Sequence, residues 1–106
     1  MINEERLSKA LRYLAETDEE CARLKTNMER FEFKAKAVKD AIFMRLEGSV
    51  ADRNAQAGAS DDYNDAMETY FGALHEHEAM RNKRSTESIV VDVWRSLNSS
   101  RNKGNL

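Results

Sequence analysis

The sequence predicts an all-α fold: a long, coiled-coil-like antiparallel two-helix hairpin that dimerises into a four-helix arrangement. Three observations carry this expectation. The 106 residues include no proline and four glycines, too few of the residues that build the many turns of a sandwich or barrel. Uncharged residues recur every seventh position through the first half, the period of a helix packed along one seam. Helix-end signals at Gly48-Ser49 and at Ser60-Asp61-Asp62 divide the chain once.

The first helix is expected over residues 3–47. Leu7, Leu14, Cys21, Met28, Ala35 and Ile42 stand seven apart, and Leu24, Phe31 and Val38 form a companion row from Cys21 onward. Leu11 is expected to widen this stripe near its start. Thr17 and Glu20 have the spacing of a capping box, which would begin a new helix there. The unbroken seven-residue period favours one continuous helix about 65 Å long. A second apolar row, Phe33, Ala37, Ala41 and Met44, points away from the seam, because two residues turn a helix through about 200°. A helix apolar on two sides needs two partners, so these four residues are the expected self-association surface.

Gly48 has the composition of a left-handed helix end. Residues 48–60 are a small, polar connector with room for one short helical turn, since Ser49 and Asp52 make a weak capping box. Ser60 with Asp61 and Asp62 then starts a second helix, a capping hydroxyl followed by acids at the positive end of the dipole. Its expected stripe is Tyr63, Met67, Tyr70, Leu74, His77 and Met80, resuming with Ile89, Val90, Val93, Trp94 and Leu97. The helix is expected to end near Asn98, making residues 1–98 one hairpin domain. Residues 99–106 read as a flexible basic tail.

Charge is polarised within the second half. Residues 60–80 hold six acids and no Lys or Arg, while residues 81–106 hold six bases and two acids. The whole chain has a formal net charge of -2, which excludes both a polycation for duplex DNA and a strongly acidic DNA mimic. The single cysteine, Cys21, cannot close an intramolecular disulfide and reads as a small buried hydrophobe on the seam. No apolar run is long enough to span a bilayer, and Met1-Ile2-Asn3-Glu4-Glu5 does not read as a signal peptide. A cytoplasmic protein with no membrane partner is expected.

Enzyme activity is not expected, nor any cofactor or metal. His75-Glu76-His77-Glu78 is the one cluster of ligand types, but His75 and His77 diverge on a helix. The Glu-x-x-His pairs of a di-metal bundle are missing from both halves. Two charged surfaces remain. Trp94, Arg95, Arg101 and Lys103, with Ser and Asn between them, can contact single-stranded nucleic acid through phosphate charge and base stacking. Asp61, Asp62, Asp65 and Glu68 form an acidic partner face.

Leu14-Ala15-Glu16-Thr17-Asp18-Glu19-Glu20, together with Trp94-Arg95-Ser96-Leu97 through Arg101-Asn102-Lys103-Gly104-Asn105, resembles small helical proteins of tailed bacteriophages. These are encoded in the early region near recombination genes, and no catalytic residues are defined for the group. The resemblance implies a phage-encoded protein acting in the cytoplasm of an infected bacterium, in contact with a host or phage protein. The expected function is therefore a non-enzymatic accessory role in phage DNA metabolism or recombination. The alternative is an anti-CRISPR-like inhibitor of a host defence nuclease, whose charged helical face blocks a nucleic-acid site.

Overall fold

A computed structural model describes residues 2–104, with side chains through Asn102. The described residues form three helices and no strand: α1 (Glu4–Arg45), α2 (Val50–Gly58) and α3 (Asp61–Gly104). Each start has a local cause. The Asn3 side chain accepts from the Arg6 amide at 2.8 Å, with Glu4 and Glu5 in the first turn. The Ser49 hydroxyl accepts from the Asp52 amide at 3.1 Å, and the Ser60 hydroxyl from the Tyr63 amide at 3.2 Å. Each cap satisfies an amide that the helix itself leaves without a partner. After α1, Gly48 turns the chain with φ +118°, a conformation that L side chains rarely adopt.

α1 runs through Thr17 without a break, as the seven-residue period predicts. Two boundaries differ from expectation. The connector contains α2, nine residues long, because Ser49 caps it and Ala51, Ala55 and Ala57 are strong helix formers. α3 continues to Gly104, where residues 99–106 were expected to form a tail. Ser, Asn, Arg and Lys are all permitted in a helix, and no proline halts propagation.

The structure divides into two compact units, to both of which α1 and α3 contribute. The terminal unit joins the chain up to Ala22 with the chain from Glu78 on. There Arg6 contacts Glu87 and Leu14 contacts Arg84, so the two helices run antiparallel. The second unit, Arg23–His77, contains α2 and brings Lys39 over the Tyr63 ring at 5.4 Å. Tyr70 and Glu32 are also neighbours there, so the order is antiparallel again.

The α1 seam faces inward as expected, with Leu24 and Ala35 buried and Leu7, Leu14, Cys21, Met28, Phe31, Val38 and Ile42 half-buried. Before Cys21 the companion row is completed by Ala10, fully buried, and Thr17, half-buried. Leu11 is instead exposed; one residue beyond Ala10, it is turned about 100° from that buried position. On α3 the inward row includes Tyr63, Tyr70, His77, Arg84, Val91 and Asn98, each seven apart. Ile89, Val93 and Leu97, expected in that stripe, are exposed at 57, 40 and 48%. The most buried of the described positions, Ala10, Ala35 and Ala57, are small because helix pairs approach most closely where side chains are short.

Candidate functional site

In the terminal unit the seam is polar. The Arg84 guanidinium reaches from α3 to α1 and donates from Nη1 to the Leu14 carbonyl at 2.7 Å and to Thr17 Oγ1 at 2.6 Å. Its Nη2 donates to the Asp18 carboxylate at 3.2 Å. Thr17 in turn donates to the Tyr13 carbonyl one turn earlier, at 2.7 Å. This is why Thr17 does not open a new helix: its hydroxyl bonds back along α1. Arg84 suits the position because its planar fork can address two acceptors at once, which a lysine cannot. Nearby, Lys83 lies over the Tyr13 ring at 4.8 Å.

A second cross-helix pair joins Arg6 and Glu87, at 2.9 Å from Nη2 to Oε1 and 2.7 Å between Nη1 and Oε2. The Nη2–Oε1 contact is a charge-assisted hydrogen bond, whereas Glu87 Oε2, close to Nη1, is buried without a hydrogen bond of its own. The hydrogen bond from Arg6 lowers the Glu87 pKa; desolvation opposes this, and the positive charges of Arg6 and Lys83 add to it. Because the folded carboxyl has the lower pKa, its contribution is complete above the ordinary carboxylate range and disappears as pH falls through the folded value. Glu87→Gln is therefore expected to lower the thermal midpoint at pH 7, with the difference from wild type vanishing as pH falls below the ordinary carboxylate range and through the lowered folded value. A difference that stayed constant with pH would remove the charge from this account.

Of the expected nucleic-acid contacts, Trp94 and Arg101 come together. Trp94, Asn98 and Arg101 lie three and four residues apart on α3 and, with Ile2, line two overlapping open clefts of about 350 and 400 Å³. The first adds Leu97 and Ser100, the second Asn3 and Glu4. Trp94 is half-buried and Arg101 exposed. Arg95 is not part of this group: it points elsewhere and lies 4.0 Å from Asp92 on its own helix. The Lys103 side chain falls outside the described residues.

In the second unit, Phe33 and Met44 are 74 and 78% exposed, and Ala37 and Ala41 on the same flank of α1 are also exposed. The acidic residues Asp61, Asp62, Asp65 and Glu68 are exposed along one side of the first turns of α3. Beside the seam, burial raises the Tyr70 pKa above its ordinary range, and the charge and hydrogen bond of Glu32 add to the effect. The Arg53 guanidinium of α2 covers the Phe43 ring at 4.4 Å, seating the short helix against the end of α1.

Sequence reasoning missed Arg84 and Thr17 as partners. The signal was present, since Arg84 is seven residues beyond His77 and Thr17 seven before Leu24. A polar residue at such a position reads as an interruption of the stripe until its partner across the seam is known. No family model, curated protein or solved structure matches this chain.

Proposed function

We propose that this chain is a non-enzymatic accessory protein that works through helical protein–protein contacts, in the phage DNA metabolism or recombination that its resemblance implies. The observation that supports this reading best is the flank of α1, where large apolar side chains as exposed as Phe33 and Met44 lie in one row. Exposed apolar surface gathered on one face is a feature of contact surfaces. Affinity capture of the tagged full chain during infection tests it. A DNA-metabolism protein should co-purify with wild type and be lost with Phe33→Glu/Met44→Glu, at unchanged helicity by circular dichroism. Identical capture by both proteins would overturn the assignment of this face.

Weak contact with single-stranded DNA belongs to the same reading, supported by the cleft that groups Trp94 with Arg101. Trp94 is the only tryptophan in the chain, so its fluorescence reports the cleft directly. An oligothymidylate is expected to quench it through base stacking, with an effect that fades as salt rises from about 50 to 200 mM. Arg101→Ala should weaken the quenching. An unchanged emission spectrum removes nucleic acid from the function.

The inhibitor reading draws on the acidic face. Asp61, Asp62, Asp65 and Glu68 are exposed on one side of α3 and can occupy a groove built for phosphates. It predicts that the protein displaces nucleic acid from a host nuclease complex, and that replacing the four acids by their amides abolishes displacement.

A further inference from the structure

We draw no further inference here: the strongest candidate, the exposed apolar row of Phe33, Ala37, Ala41 and Met44 on α1, has nothing in the structure to show what covers it, and the cleft beside Trp94 belongs to the site already described.

Discussion

Leu24→Ala is expected to destabilise the chain by about 2–3 kcal/mol, within the range for a large aliphatic side chain cut back at a packed position. Leu24 is the most buried large apolar residue of the described chain, at 8% exposure, and the other buried apolar positions are alanines. Such a core has little other aliphatic volume with which to refill the space. For about 100 residues the loss corresponds to a thermal midpoint lowered by roughly 10–20 °C. In urea the midpoint should fall with the slope unchanged. Leu11→Ala provides the contrast: Leu11 is 49% exposed, so its truncation should stay within about 0.5 kcal/mol. Equal effects at the two positions would mean that α1 packs on another face.

Arg84→Ala should cost about 2 kcal/mol, the scale of a part-buried hydrogen-bond group with a charged donor, and lower the midpoint by roughly 10 °C. The Arg84 side chain is 20% exposed, and two of its acceptors, the Leu14 carbonyl and Thr17 Oγ1, are part-buried. Arg84→Lys should recover only a fraction, because an ammonium does not reproduce the planar fork. The Asp18 contact contributes little, since that carboxylate is 80% exposed and such pairs are weak. Asp18→Asn should therefore leave the midpoint nearly unchanged. If Asp18→Asn matched Arg84→Ala, the clamp would be an ion pair and not a hydrogen-bonded anchor on α1.

The two variants sample different units, Leu24 the one that holds α2 and Arg84 the terminal one. Differential scanning calorimetry can therefore report whether the units unfold together. Coincident shifts of one transition for both variants indicate a cooperative chain, whereas separate shifts of two transitions indicate independent units.

Much of the candidate surface is legible in the sequence alone. The row from Phe33 to Met44 follows from helical spacing alone, and so does the placement of Asp61, Asp62, Asp65 and Glu68 on one side of α3. Both are properties of a single helix. The apolar row of Ile89, Val93 and Leu97 was less readable. Residues 89–94 include Ile89, Val90, Val91, Val93 and Trp94, apolar on nearly every side, so periodicity there cannot say which face is dry. The polar contacts at Arg84 were not readable at all, because the partners lie 67 to 70 residues away.

The sequence by itself determined where helices begin, where α1 stops and which stripe of α1 packs. Those outcomes depend on interactions spanning a few residues: an Asn or Ser oxygen reaching an amide in the next turn, a glycine taking a positive φ, and a seven-residue apolar repeat. Only the tertiary structure decided that Ala10 and not Leu11 is buried, that Arg84 and Thr17 occupy the seam, and that Ile89, Val93 and Leu97 stay outside. The physical reason is register. Which of several neighbouring side chains is covered depends on what the opposing helix presents at that level, and the opposing residue is remote in sequence.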